Sequence, residues 1–504
     1  MKESLVPIYG GSYSYYFDVS RQRTVNLLPE NVEDAQGKTT AILVSTNGTK
    51  KVVELDEFPG DDPIRCRGLV TIPVSLGGGE VMVGVWGDEV WKITPGQTPV
   101  TTLIGHVNMK PTPVSIAYDE VRVMIADGTS LWCFNFKDPD DGTFLEDSVI
   151  PHTFHAVNLA WDDLMINPDF VVSIGHRFVV NRGGTGEFYY SKLLSEEFGA
   201  SEFYTAETNI DNITALAVRE ANLHVFGSNS CEIWTVNQSE TEYDPFSWIG
   251  GSQADIGCTA PWTISSQNGV IRFLGASNSG KNTVFSWTTG KPERISNNAM
   301  ENDLNEEDQN AKGFCWYEKG HSFYALQNNG RTWVWDDSTS LWHERSRRLP
   351  NGSDVKWECD FSTTCRNVSY FGSCDTDWLL KTEENRWIDF EDNQIVRVRT
   401  TGTNWDDLDF ISVRQLYLDC ETGTTPELVG QGKEPWVMLK ISRDGGCTWD
   451  DCSWAPLGRQ GEFWRHCFWR NLGRGKSFIF EFSFSDPCPI VLRAMRITYE
   501  KCAY

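Results

Sequence analysis

Seven times along its middle, the chain repeats one pattern. An alternating apolar strand is followed by a turn of Gly, Asn, Asp or Ser, and then by a strand carrying Trp or Tyr. The first three units run Val81–Trp86 to Trp91, Val121–Ile125 to Trp132 and Arg177–Val180 to Tyr190. The others run Leu223–Phe226 to Trp234, Ile271–Leu274 to Trp287, Ser322–Ala325 to Trp335 and Val368–Phe371 to Trp378. Period-2 alternation around Gly and Asn turns is the signature of strand hairpins. The closing aromatics are spaced by 41, 58, 44, 53, 48 and 43 residues. One hairpin per 40–50 residues is the period of a propeller blade, four short strands plus turns. Such blades bury both faces against their neighbours, and 21 Trp and 27 Phe supply the bulk. The reading is an all-β chain with a seven-bladed β-propeller over residues 65–400. A large β-sandwich with evenly spaced hairpins is the competing fold, because the gaps vary and no strict motif recurs.

The two ends differ from the middle. Residues 1–64 hold polar loops and a strand around Ala41–Ser45, an N-terminal β segment. Residues 401–504 hold alternating strands at Ile411–Leu418, Trp436–Ile441, Phe478–Phe484 and Ile490–Ile497. The two terminal segments are expected to combine into a β-sandwich-like platform module. One helix is expected, from Asn298 to Lys312; with no clear apolar face it reads as a solvated connector.

Charge separates the regions too. The formal net charge is −26, and 46 acids against 26 bases fall within residues 65–400. An acidic surface opposes phosphate, whose neutralisation needs Lys and Arg. No basic patch with interleaved aromatics is read in the sequence. The acid is either an ordinary solvated surface or a wall that nucleic acid slides past. No stretch approaches the roughly 20 apolar residues that span a bilayer. The first residues lack the apolar run and cleavage site of a signal peptide. Fourteen Cys without a Cys-x-x-Cys pair suggest reduced thiols, not a disulfide scaffold.

Motifs for chemistry are few. No Gly-x-Ser-x-Gly, His-Glu-x-x-His or Walker loop occurs. His152 and His155 form a His-x-x-His pair read as polar residues of a loop between blades two and three. His466-Cys467 reads as part of a core strand. Asp138-Pro-Asp-Asp141-Gly142 lacks the closing Glu of a twelve-residue Ca²⁺ loop and reads as a turn. Ser442-Arg-Asp444-Gly-Gly446-Cys-Thr448-Trp449 matches an Asp-box, a turn in which the carboxylate bonds backbone N–H groups. Sialidases carry several such boxes, and this chain has one good copy. No catalytic, cofactor-binding or metal-binding residue is assigned.

Three stretches carry a resemblance across almost the full chain. They are Arg23-Thr-Val-Asn26-Leu-Leu-Pro-Glu30; Gly320–Leu326 with Trp333–Asp336 and Leu341-Trp-His-Glu344-Arg345; and Ser442–Trp449 through Gly458–Gly461 and Trp469–Gly473 to Phe482–Pro487. Together they resemble the tail nozzle proteins of short-tailed bacteriophages, also termed tail hub or packaged-DNA stabilisation proteins. The resemblance implies a non-enzymatic virion protein, made in the host bacterial cytoplasm and needing no cofactor. It implies a homohexameric tube below the tail adaptor, with propellers around it and a tailspike or tail fibre docked on its sides. A distal plug or needle would close the tube, and DNA would leave through its lumen without sequence-specific binding. Six copies carry about −156, and an acidic lumen lets a polyanion pass without condensing. The alternative is a glycan-binding or sialidase-like propeller, which requires an acidic-arginine cluster at the propeller mouth. A third is a monomeric scaffold propeller for peptides.

Overall fold

Strands too apolar on both faces for a solvated sheet must stack, and here they stack radially. A computed structural model describes residues 2–502, except 7, 11–21, 34–38, 56–64, 74–78, 162–163, 207–210, 238–243, 278–279, 306–307, 309, 405 and 407–408. Outside the described residues lie the turn positions Asn278 and Ser279 and three positions of the expected helix.

Seven antiparallel sheets follow in order, their strands within 66–106, 115–157, 171–205, 213–248, 256–294, 312–348 and 359–382. Each closing aromatic of the repeat lies on the third strand of its sheet. Apolar clusters join each blade to the next. Val83 and Val85 of blade one pack with Val123 and Phe134 of blade two. The sequence of clusters ends with Leu379 and Tyr370 of blade seven against Cys66, Met82 and Trp86 of blade one. Each such side chain, fully buried, is worth about 1.5–3 kcal/mol, so the ring is held by its interblade contacts.

An indole N–H withdrawn from water needs an acceptor, and in four blades a nearby acid supplies one. Trp91 and Trp234 donate to Glu89 and Glu232, two residues earlier, at 3.0 and 3.1 Å. Trp132 donates to Asp127 at 2.8 Å and Trp335 to Asp337 at 3.0 Å. Some of the acid that sets the composition is therefore an internal fastening of the blades.

Blade seven is completed from the other end of the sequence. Its three strands Cys359–Cys365, Val368–Ser373 and Trp378–Thr382 take Thr49–Glu54 as the outermost, antiparallel fourth. Residues 49–54 thus leave the 1–64 platform segment of the sequence reading and join the propeller. Conversely, Arg397–Thr400 leaves the propeller span and pairs with Ile479–Phe484. An edge strand needs a partner from any part of the chain, and hairpin periodicity is blind to one that is distant in sequence.

The remaining ends form a sandwich. One sheet orders Leu27–Glu33, Thr39–Ser45, Val491–Lys501, Ile411–Cys420 and Cys467–Gly475, with Lys2–Val6 also on Val491–Lys501. The facing strands are Arg23–Val25, Arg397–Thr400, Ile479–Phe484, Trp436–Ser442 and Ser453–Pro456, continuous with blade six through one parallel bridge, Val25 to Glu344. Leu43, Leu416, Leu439, Phe480 and Phe482 meet between the sheets. The composite module expected from both termini is present.

The expected helix shrinks to Asn298–Glu301, capped by the Asn297 side chain on the Met300 N–H. It is no solvated connector: Met300, Leu304 and Ala311 are buried beside Trp333 and Trp342. They stand at i, i+4 and i+11, a helical spacing, but three apolar residues among so many acids make too sparse a stripe to read as a buried face. Among the described residues no helix is long and apolar enough to cross a membrane.

Two tests address the ring seam. A Cβ at Gly372 would stand 2.3 Å from Cys66 Sγ and 2.4 Å from Cys66 Cβ. Gly372→Ala should therefore cost about 1–3 kcal/mol in a denaturant titration, as overpacked cores do; an unchanged midpoint would mean that blades one and seven do not meet closely. Second, the Thr49 hydroxyl lies 2.6 Å from Glu358 Oε1 and 3.1 Å from Asp389 Oδ1, all three groups buried. Burial, with Asp389 nearby, pushes the Glu358 carboxyl up to about 8. The folded chain then keeps a proton that the unfolded chain releases, so stability falls as pH rises from the ordinary carboxylate range through 8. Glu358→Gln should melt like the parent at pH 5 and be more stable by about 1–3 kcal/mol at pH 8.5. An equal shift at both pH values would contradict this.

Candidate functional site

The first two stretches singled out in the sequence, 320 residues apart, meet at the junction of propeller and sandwich. Arg23 grips Glu344 with two parallel bonds, Nε to Oε1 at 2.9 Å and the terminal nitrogen to Oε2 at 2.8 Å. Such a bidentate pair fixes orientation as well as distance. Asn26, at φ +54°, donates to the carbonyls of Ser346 and Val396 and accepts from the Ser346 N–H. An Asn tolerates that left-handed backbone and supplies both donor and acceptor. Arg345 closes the group with a buried bond to Glu318 at 2.8 Å. These residues hold two bodies in a set relation, and their partners are all within the chain.

The positions weighed for chemistry are likewise engaged. The Asp444 carboxylate accepts from Ser442, from the Thr448 N–H and from the Thr448 hydroxyl, which holds it down at about 2. Asp138 and Asp141 accept backbone N–H groups of Asp140 and Thr143 within their turn. Cys467 is buried in the sandwich, with its Sγ 3.6 Å from that of Cys420, while His466 is exposed. His152 lies in a short 3-10 turn; His155 is not in a loop but in His155–Val157, the outer strand of blade two.

A cavity of about 530 Å³ opens where the chain enters the first strands of blades two, three and four. Phe170 and Trp262 stack across it at 4.6 Å, beside Asp169 and Lys110. Among the described residues, no arginine lines it.

Charge is where the surface becomes informative. The buried acids are Glu89, Asp127, Glu232, Glu318, Asp336, Glu344, Glu358, Asp360 and Asp389. The buried bases are Arg67, Lys92, Arg122, Arg177, Arg272, Arg345, Arg397 and Arg399. Interior charge nearly cancels among the described residues, so the surplus of −26 sits on the surface.

Against that surface, residues 453–476 stand out. They carry Arg459, Arg465, Arg470, Arg474 and Lys476 against Glu462 alone, and all five bases are exposed. Trp464 is 90% exposed, Phe463 62% and Trp454 56%. Arg470 lies over the Phe468 ring at 4.9 Å. The reading that the chain has no basic patch with interleaved aromatics is corrected here. Charge tallied over 401–504 hid it, since acids elsewhere in that span balance the bases. This segment runs from the outer strand of one sandwich sheet, Ser453–Pro456, to that of the other, Cys467–Gly475. Among the described residues neither outer strand carries a further strand on its free edge, and a loop of aromatics joins the two.

The solved structures the chain matches are distant, with TM-scores of about 0.4. The WD40 beta propeller domain of Doa1 is 10% identical, with 67% of this chain and 98% of that one covered at a TM-score of 0.39. A chain of Polycomb Repressive Complex 2 of Chaetomium thermophilum is 8% identical, with 67% and 98% covered at 0.40. No curated protein matches the sequence significantly. Two families do match: "Bacteriophage P22 Gp10, beta-propeller" over residues 6–375, and "Bacteriophage P22 Gp10, beta-sandwich" over residues 397–500. Propeller and sandwich are thus matched in order over most of the chain, which belongs to the Gp10 family of bacteriophage tail nozzle proteins, virion structural proteins that stabilise packaged DNA.

Proposed function

We propose that the chain assembles as a homohexameric ring that forms the tail nozzle below the adaptor, retains packaged DNA and conducts it at ejection. The observation that carries the reading is the exposed basic and aromatic border at 453–476 on an otherwise acidic molecule. Soluble monomers rarely display several large aromatics in one short segment; such patches mark interfaces. A basic-aromatic face complements the acidic surface of another copy better than it complements itself. Unlike faces that pair give head-to-tail contacts, and these close into rings when the rotation permits. Two open strand edges beside the aromatics offer backbone pairing as a second adhesive.

With its bases spent between copies, the ring presents acid to whatever passes through. DNA carries one charge per about 1.7 Å of duplex, so a wall without free Lys and Arg gains nothing from counterion release and lets it slide. The adaptor, a tailspike or fibre, and a distal plug or needle remain the proposed neighbours. The role is mechanical, as the family of virion structural proteins supports.

The purified chain should sediment as a species of about six copies at low salt. Trp464→Ala with Arg465→Glu should shift it to monomer, since central aromatic and Arg anchors each cost about 2–4 kcal/mol when truncated. Both side chains are exposed, so the melting temperature of the monomer should not move. A ring unaffected by the double substitution would refute this interface. A parent chain that stays monomeric, with and without adaptor, would refute the ring.

A further inference from the structure

Three potential metal ligands from two blades converge at one point. Cys133 lies on Leu131–Asn135 and His155 on His155–Val157, the third and fourth strands of blade two. Glu196 comes from the turn between Glu187–Ser191 and Phe198–Thr205 of blade three. Cys133 Sγ is 3.2 Å from Glu196 Oε2, and His155 Nε2 is 3.1 Å from Glu196 Oε1. One ligand atom from each of the three lies within 4.8 Å of the others.

We propose that Cys133, His155 and Glu196 form a divalent transition-metal site, best suited to Zn²⁺, that clips blade two to blade three. The donor set is a thiol, an imidazole and a carboxylate, the three protein ligand types of zinc. His155 is oriented for it: Nδ1 sits 2.7 Å from the Thr153 carbonyl oxygen. A carbonyl only accepts, so Nδ1 donates there and Nε2 is aimed at Glu196 Oε1. That second bond is the usual support behind a ligating histidine.

Burial is graded in the same sense. Cys133 is fully buried among Leu131, Tyr189 and Phe198, whereas Glu196 and His155 reach a cleft of about 310 Å³ also lined by Trp161. Three protein ligands with one open side leave the fourth position to a water molecule or to a group from a neighbouring protein. The residues stand 22 and 41 positions apart in sequence, and His152, read with His155 as a polar loop residue, is not in the cluster.

The test uses the full chain, stripped with a chelator and titrated with Co²⁺ as the spectroscopic probe and then with Zn²⁺. One equivalent of Co²⁺ should give a thiolate-to-cobalt charge-transfer band and tetrahedral visible bands, both displaced by one equivalent of Zn²⁺. His155→Ala and Glu196→Gln alter partly exposed side chains, so the fold is retained. Each should weaken binding by more than the roughly 10–100-fold that loss of a supporting partner costs. Cys133→Ser should abolish the charge-transfer band, whereas Cys447→Ser, at an exposed thiol elsewhere, should not. Zn²⁺ should raise the melting temperature of the parent and not of the His155 variant. No charge-transfer band, or affinity unchanged by His155→Ala and Glu196→Gln, overturns the proposal.

Discussion

A propeller is a sheet stack that must meet itself, and the rest of this molecule depends on how its two ends are joined. Blade seven lacks an outer strand until Thr49–Glu54, drawn from ahead of blade one, pairs with Trp378–Thr382. That choice dictates the neighbouring architecture. The chain before residue 49 emerges beside the chain after residue 382, so the terminal segments can share the sandwich sheets. Arg23 on Glu344 and Asn26 on Ser346 then fix sandwich to propeller across sequence separations of about 320 residues. The closing strand has to be held, and Thr49 is anchored between two buried carboxyls. Such a cluster is costly without its partners, which makes the seam specific as well as tight.

Acid serves two purposes in this chain. Inside, Glu89, Asp127 and Glu232 accept indole protons that would otherwise be orphaned in the blades. Outside, the uncancelled surplus gives a surface that repels phosphate, interrupted by the basic border of the sandwich. Uniform acid alone would oppose self-association, since like copies repel. In the proposed ring a localised basic segment would resolve that conflict by giving every copy one complementary face.

The propeller was legible because its signal is local. Alternation and turns fall within each hairpin, so seven hairpins and the third-strand aromatics follow from residues less than twenty apart. What was not legible depends on distant pairing. Thr49–Glu54 carries no mark of blade seven, and Arg397–Thr400 none of the sandwich. The buried Met300, Leu304 and Ala311 do fall at helical spacing, but the stripe is sparse and the helix itself covers only Asn298–Glu301. The border at 453–476 was present in the letters but averaged away by tallying charge over a whole domain. The Cys133, His155 and Glu196 cluster could not be read at all, because two blades must be assembled before the three residues are neighbours.

Copies of this propeller-sandwich chain arranged as a ring would encircle the phage tail. Imaging tails released from purified particles, with an antibody against this chain bound, tests that arrangement most directly. About six labels around the distal tail are expected. Particles whose tails carry no label would contradict the account.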